Sequence, residues 1–233
     1  MYYRYYFDPT YMLVLIGIIL CMAASAKMNG TFKKYSKVRS NSGITGAQAA
    51  ARILNNAGIH DVRIEQVGGN LTDHYDPSAK VLRLSDSIYN STSVAALGVA
   101  AHECGHAVQH QQGYGPLKLR SALVPAANIG SKLGIPLIFI GLLFGLNSSL
   151  VQIGIWVFAI AVLFQVVTLP VEFNASKRAL VMLSDYGITG GDETESCRKV
   201  LSAAALTYVA AAASSILQLL RLVLLFGNRR RDD

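Results

Sequence analysis

Apolar residues in this chain form long uninterrupted runs as well as short periodic patterns. The first run, Tyr11 to Ala26, carries no charge and is short for a bilayer-crossing helix, which needs roughly 17–25 residues. A second run extends from Ala122 to Leu146 with Lys132 as its only charge, and a third, Val151 to Val171, has none. The pattern predicts an N-terminal anchor followed by a helical hairpin, with Asn147, Ser148 and Ser149 at its turn.

The last apolar stretch, Leu201 to Phe226, is harder to interpret. Its first half is rich in small residues, which suits close helix packing, but Arg221 interrupts its second half. If this stretch spans the membrane, Arg229, Arg230 and Arg231 lie outside, against the excess of positive charge in cytoplasmic loops. We favour a span, with a helix packed under the cytoplasmic domain as the alternative, so the chain has three or four transmembrane helices.

Between the anchor and the hairpin, short periodic patterns of apolar residues replace the long apolar runs, which is typical of a folded domain. Gly43 to Gly58 has a helical apolar face with Thr45 as its N-cap. Val62 to Val67 and Lys80 to Leu84 alternate like strands, and residues 68–77 between them carry turn chemistry. A second helix begins near Ser91 or Ser93 and ends near Gln112. These elements predict an α+β fold in a mostly helical membrane protein.

Composition supports the membrane assignment. Hydrophobic residues make up 52% of the 233 and charged residues only 15%, whereas a soluble domain has about 25% charged residues. This excludes a disordered chain and a typical soluble enzyme. Cys21, Cys104 and Cys197 are odd in number and far apart, which argues against a disulfide framework. The net charge of +7 is explained by membrane topology, and no nucleic-acid-binding motif is present.

The positive residues also predict orientation. They follow the first run and flank the predicted hairpin, which places those flanks in the cytoplasm. They are Lys27, Lys33, Lys34, Lys37 and Arg39, then Lys118, Arg120, Lys177 and Arg178. Ala23 to Ala26 resembles a signal-peptide cleavage site, but the segment before the run is a weak n-region, so an uncleaved anchor is favoured.

The second helix contains the pattern H-E-x-x-H. His102 and His106 lie one turn apart on one face, so two neutral imidazoles can bind one Zn²⁺. Glu103 lies about 100° round the helix from His102, where it can take a proton from a metal-activated water. Chance is the alternative, but burying these groups on an apolar helix is unfavourable unless they are used. Cys104 points away from the histidines and is expected to pack in the core.

A zinc site of this type needs a third protein ligand. His110 lies eight residues after His102, roughly 12 Å along a straight helix, so one metal cannot bind both. Glu172 is the better candidate, because an acid at the end of an apolar segment needs a partner such as a cation. The alternative is a glutamate favoured by the dipole of a helix N-terminus.

With these residues in hand, the chain resembles the YugP-type family of bacterial membrane-bound neutral zinc metallopeptidases. The resemblance covers almost the whole length. The strings that carry it, in order, are Gly69 to Pro77, Lys80 to Ser85, Val99 to His110, Leu119 to Pro125 and Ala203 to Ala210.

A more distant resemblance is to the HtpX heat-shock protease and the CAAX prenyl endopeptidases. In these relatives a later Glu ligand lies within E-x-x-x-D, and Glu172 matches the ligand. Ser176 stands at the Asp position, a departure that puts the support of a zinc-ligating histidine in doubt. The resemblance implies a zincin-like fold with an edge strand beside the metal-binding helix, and we expect Lys80 to Ser85 to be that edge.

Several residues remain open for supporting roles. An oxyanion donor or substrate contact could come from His74 or Tyr75 in the loop before that strand, or from Tyr186 or Tyr208. The alternative for residues 73–77 is a turn held by its Asp and Pro. His110 and Ser176 are expected to contact the ligands from behind, or to lie at the surface in the case of His110.

The sequence therefore predicts a membrane-bound zinc metalloendopeptidase that acts on membrane-associated proteins or peptides. The resemblance implies the bacterial plasma membrane, and topology predicts a cytoplasmic active site. The alternatives are a site-2-type intramembrane protease, whose L-D-G motif is not matched by Leu183 to Gly187, and a non-catalytic zinc-binding scaffold. Oligomeric state stays open. The expected segments are an anchor (1–26), a zincin-like domain (27–121), a hairpin (122–171), a helix with the third zinc ligand (172–200) and a C-terminal apolar helix (201–233).

Overall fold

The computed structural model describes residues 8–144 and 148–227. Asn147 of the predicted turn and Arg229 to Arg231 lie outside these residues. Within them the chain is mostly helical with one small sheet, which confirms the predicted α+β class. The helices are α1 (Tyr11–Tyr35), α2 (Gly46–Asn56), α3 (Asp86–Tyr89), α4 (Val94–Gln111), α5 (Gly115–Leu143), α6 (Ser148–Asp185) and α7 (Gly191–Phe226). The strands are β1 (Arg63–Val67), β2 (His74–Asp76) and β3 (Val81–Ser85).

The chain divides into two compact units. The first, which we call the helical unit, takes residues up to Ala24, Arg120–Val167 and residues from Tyr208 on. The second, the sheet unit, takes Ser25–Leu119 and Thr168–Thr207. The helices α1, α5, α6 and α7 each contribute one segment to each unit. The predicted five-segment division of the chain stays a prediction.

Four helices of the described chain are long and apolar enough to cross a membrane, namely α1, α5, α6 and α7. This confirms a multi-pass membrane protein, and it includes the last apolar stretch among the candidate spans. In the helical unit, small residues let α5 and α6 approach closely. A Cβ added to Gly130 would lie 2.5 Å from the Val157 carbonyl oxygen, and one added to Gly134 would lie 2.8 Å from the Phe158 Cβ.

The charge that interrupts α7 has partners within the helical unit. The Arg221 guanidinium lies 3.4 Å from an Asp8 carboxylate oxygen and 4.2 Å from the centre of the Tyr11 ring. An ion pair and a cation–π contact reduce the cost of an arginine in an apolar helix. The contacts with Asp8 and Tyr11 at the start of α1 therefore explain how an apolar helix accommodates Arg221.

The helix that carries Glu172 does not end where the apolar run ends. The sequence suggested one helix that ends near Val171 and another that opens there, but α6 continues through Pro170 to Asp185. Proline removes only one backbone donor, and a helix in an apolar surrounding keeps the remaining bonds because no water replaces them.

The sheet has the strand order β1-β3-β2, so the expectation that Lys80 to Ser85 forms the edge is wrong. Strand β3 is central, parallel to β1 and antiparallel to β2. Val81, Leu82 and Leu84 are fully buried, as expected of a strand covered on both faces. The edges are β1 and β2, and β2 occupies part of the segment that the sequence indicated as a turn.

The two helices predicted for the sheet unit begin where expected. Thr45 forms a capping box with Gln48 at the start of α2. The Ser93 hydroxyl accepts a hydrogen bond from the Ala96 backbone at the start of α4. Both helices pack into one core with β3 and the end of α6, which holds α4 rigidly in the interior. The metal-binding motif therefore lies on a buried, well-supported helix.

Candidate metal centre

His102 and His106 project from α4 towards Glu172 on α6. The Nε2 atom of His102 lies 3.2 Å from Oε2 of Glu172, and that of His106 lies 3.7 Å from the same oxygen. The three residues can offer ligand atoms that all lie within 4.8 Å of one another. Glu172 is 3% exposed and His106 is 9% exposed. All three belong to the sheet unit, so the structure brings these sequence-predicted residues together in one site.

Gly105, which lies between the two histidines, sets the distance between α4 and α6. A Cβ added to Gly105 would lie 2.6 Å from the Ala175 carbonyl oxygen on α6, closer than real contacts of this kind. No other residue type fits without moving one backbone. The close approach brings Glu172, one helical turn before Ala175, within reach of the histidines on α4.

The Nδ1 atom of His102 contacts Ser176. The distance from Nδ1 to the Ser176 hydroxyl oxygen is 3.1 Å. A hydroxyl can accept the Nδ1 proton as a carboxylate does, though without the negative charge. Ser176 therefore contacts a predicted zinc ligand from behind, at the position where the resembled proteases have Asp.

His106 has a corresponding partner that sequence reasoning missed. Gln109 is fully buried, and its side-chain amide donates to the Val171 carbonyl at 2.8 Å and to the Asn174 side chain at 2.9 Å. Both amide hydrogens are then used, so Oε1 accepts the proton on Nδ1 of His106, at 3.0 Å. A sequence signal did exist, because Gln109 lies three residues after His106 on the same face of an apolar helix.

These contacts determine which ring nitrogen faces the site. With Nδ1 protonated and bound to Ser176 or Gln109, each Nε2 presents a lone pair towards Glu172. Two imidazole nitrogens and one carboxylate oxygen are a zinc donor set that leaves a fourth position open. Burial disfavours a protonated His106, but the neighbouring carboxylates of Glu172 and Glu103 raise its pKa overall. The electrostatics of the site therefore favour a positive charge.

Glu103 lies beside this donor set and is 8% exposed. Its carboxylate makes no hydrogen bond or ion pair with any residue of the described chain, although it is close enough to raise the pKa of His106. A buried carboxylate is normally paired, so this one is suited to a ligand or a water. The neighbouring Cys104 is fully buried, and burial raises the pKa of its thiol far above the ordinary value, so the thiol is inert.

His110 and His74, which were expected to have supporting roles, lie outside the donor set. His110 Nδ1 is 2.9 Å from the Tyr75 hydroxyl, and both side chains reach solvent. His74 Nδ1 contacts the Thr72 carbonyl at 2.9 Å, while its Nε2 faces Arg83 at 3.2 Å. Burial, followed by the charges of Asp61 and Asp76, raises the pKa of Tyr75, so its hydroxyl stays a donor at neutral pH.

The two other tyrosines expected as donors are Tyr186 and Tyr208. Tyr186 lines a groove of about 460 Å³ with Val108 and Arg178, and no residue of the donor set lines that groove. Tyr208 lies on α7 and is not one of the three clustered residues. Neither tyrosine is part of the donor set.

Comparison with known proteins agrees with this geometry. A family model described as "Putative neutral zinc metallopeptidase" matches residues 10–227. A relative named "Putative membrane protease YugP", from Bacillus subtilis (strain 168), is 47% identical over 221 residues, which is 95% of this chain and 98% of the relative. No solved structure matches the chain. With this coverage and the His, His and Glu donor set, the chain belongs to the neutral zinc metallopeptidase family.

Proposed function

We propose that this protein is a membrane-bound zinc endopeptidase that cleaves peptide bonds with Glu103 as its general base. One observation carries the proposal: Glu103 is buried without a partner beside two Nε2 atoms and a carboxylate that face a common point. A structural zinc site is normally closed by four protein ligands, whereas this donor set offers three. This favours a catalytic centre over a non-catalytic scaffold.

The three ligands are assigned as Nε2 of His102, Nε2 of His106 and the carboxylate of Glu172. Zinc bound there would supply a Lewis acid that polarises the scissile carbonyl and makes water acidic enough to react near neutral pH. Ser176 and Gln109 hold the Nδ1 protons, so both imidazoles remain neutral and correctly oriented.

Glu103 performs the proton transfers. Its carboxylate takes a proton from the attacking water as the new C–O bond forms at the scissile carbonyl. The same proton passes to the amide nitrogen as the C–N bond breaks, so the products are a carboxylate and an amine. Tyr75 is a candidate donor to the developing oxyanion, because it contacts His110, one helical turn beyond His106.

Substrate binding is assigned to strand β2. It is an edge strand of the described sheet, and it packs against α4, the helix that carries the two histidines. An extended peptide can add to such an edge by main-chain hydrogen bonds. The four candidate spans favour substrates at the bilayer, namely membrane proteins or peptides bound to it. The likeness to the Bacillus membrane protease supports a bacterial plasma membrane.

The decisive experiment combines metal analysis with peptide hydrolysis on detergent-purified protein. Wild type is expected to hold one zinc and to cleave casein or a soluble peptide. Glu103→Gln should keep the zinc and lose cleavage by at least a hundredfold, the usual contribution of a general base. Glu172→Ala should lose zinc because one of three ligands is gone.

Matched control variants separate these effects from a general loss of folding. Glu65→Gln changes a partly exposed glutamate on β1 that pairs with Arg63 and Arg83, and His60→Ala removes an exposed histidine; both should retain zinc and cleavage. Normal zinc binding by Glu172→Ala would contradict the ligand assignment. Cleavage that persists in Glu103→Gln would contradict its role as the base. Offering a transmembrane segment beside the soluble peptide distinguishes a site-2-type activity.

A further inference from the structure

A second groove in the sheet unit lies between the end of α1 and the start of α7. It has a volume of about 460 Å³, within the range of small-ligand sites, and no residue of the metal centre lines it. Its charged lining consists of four cations and one carboxylate, namely Lys27, Lys34, Arg198, Lys199 and Glu195.

Most of this positive charge is not neutralised by the protein. Glu195 pairs with Arg198 at 3.1 Å, and the Lys34 ammonium lies 5.4 Å from the centre of the Tyr35 ring. Lys27 and Lys199 form neither a hydrogen bond nor an ion pair with any residue that the structure describes. Cations that converge on one groove repel each other, so an anion bound between them would be stabilised.

The groove lies where two candidate spans leave their apolar segments. Lys27 follows directly on the uncharged run that ends at Ala26, and Lys199 comes just before the uncharged stretch from Leu201 to Leu220. Basic residues at this position on a membrane helix lie at the level of lipid headgroups.

The lining also changes in character along the two helices. Leu206 and Ala203 lie at the end nearer the apolar segment of α7, and Leu206 is 39% exposed. Gly30 leaves open space, since a Cβ added there would meet no atom within 4 Å. Thr31 and Ser202 add hydroxyl donors beside the cations. An apolar end, free space and a basic end match a molecule with an acyl chain and a negatively charged head.

We propose that this basic groove binds the phosphate-bearing headgroup of an anionic phospholipid, with Lys27 and Lys199 as its principal contacts. The site is separate from the metal centre and does not depend on the proposed catalytic function. A bound lipid would hold α1 and α7 together at the membrane surface.

The test is a lipid titration of the full-length protein in neutral detergent, followed by thermal unfolding and native mass spectrometry. Phosphatidylglycerol should raise the Tm of wild type and remain bound, whereas phosphatidylcholine should do neither. In Lys27→Gln with Lys199→Gln, the apparent affinity for phosphatidylglycerol should fall roughly 30-fold, the factor that two cations contribute at an anionic surface.

The control is Lys33→Gln with Lys37→Gln, which removes the same charge from exposed positions that do not line the groove. It should bind phosphatidylglycerol like wild type, and Lys27→Arg with Lys199→Arg should do so as well. An equal loss of phosphatidylglycerol affinity in this control and in Lys27→Gln with Lys199→Gln would refute the groove as the binding site, because the net charge of the protein would then explain binding. An equal Tm rise with inorganic phosphate or glycerol phosphate would refute a lipid as the ligand.

Discussion

At the scale of single residues, the contacts behind the metal ligands are as specific as the ligands themselves. His102 and His106 are each oriented through Nδ1, one by a hydroxyl and one by a buried amide. The amide of Gln109 has all its hydrogen-bonding groups engaged, so it determines the tautomer of His106. Its role is to position a ligand, because it makes no contact with the point that the donors face.

We expect Gln109→Leu to weaken zinc binding 10- to 100-fold, the usual effect of losing a partner behind a ligand. The substitution keeps the volume but leaves the Nδ1 proton of His106 without its acceptor, and it removes the side-chain hydrogen bonds from Gln109 to Val171 and Asn174. The measurement is zinc affinity by competition with a chelator, which does not depend on cleavage.

Gln111→Leu is the matched control, because Gln111 is exposed on the same helix and contacts only the Gly58 carbonyl at 3.4 Å. If Gln109→Leu lowered stability but left the zinc affinity unchanged, Gln109 would contribute only to packing. That outcome would contradict its positioning role.

At this scale the sequence predicted the cluster of His102, His106 and Glu172 that the structure contains, whereas the catalytic role of Glu103 stays a prediction. His102, Glu103 and His106 form a motif on a helix, and their placement needs only the helical period. Gln109 was missed because its place three residues after His106 is a weak signal until its hydrogen-bond partners on α6 are known. The edge assignment of Lys80 to Ser85 failed because strand pairing is non-local, and a three-residue strand such as β2 has no periodicity to detect.

At the scale of elements, the metal centre is a contact between two helices. Helix α4 carries two of the proposed ligands and the proposed base, and α6 carries the third proposed ligand and Ser176. The two backbones approach most closely at Gly105 and Ala175, so helix spacing and ligand geometry are coupled.

Gly105→Ala is expected to lower both zinc affinity and stability, since the new methyl group forces the helices apart. Overpacking of this kind costs about 1–3 kcal/mol. Gly98→Ala on the same helix is the control, because its Cβ would lie 3.5 Å from Cys197, an ordinary contact. We expect Gly98→Ala to match wild type in a thermal unfolding and zinc-binding comparison, and equal behaviour of the two variants would argue against the coupling.

Pro170 illustrates how sequence prediction fails at the scale of elements. The end of the apolar run and the proline both indicate a helix boundary, and each is normally a good signal. The helix nevertheless continues, because its later turns pack in the core through Ala179 and Leu183. Tertiary packing of this kind is not visible in a local window.

At the scale of the whole molecule, each of the four candidate spans has one segment in the helical unit and one in the sheet unit. Because successive spans cross a bilayer in opposite directions, we expect the four span ends that belong to the sheet unit to lie on the same side of the membrane. The positive residues around Lys27 and Lys177 favour the cytoplasmic side.

Cysteine labelling tests this orientation in intact cells. We expect Asn55→Cys, exposed on α2, to react with an impermeant maleimide only after the cells are permeabilised. Asn147→Cys, at the predicted hairpin turn, should react without permeabilisation. The native Cys104 and Cys197 are buried, and the partly exposed Cys21 is replaced by Ser in every variant so that the labelling background stays low. Labelling of Asn55→Cys in intact cells would place the sheet unit outside.

The order of the ligands along the chain has a consequence for biosynthesis. His102 and His106 leave the ribosome long before Glu172, and the intervening residues include α5 and most of α6, two candidate spans. The donor set is incomplete until the second of these helices has been made and inserted. A nascent chain therefore cannot bring the three proposed ligands together before α5 and most of α6 have been synthesised, and we expect zinc binding to begin only after that point.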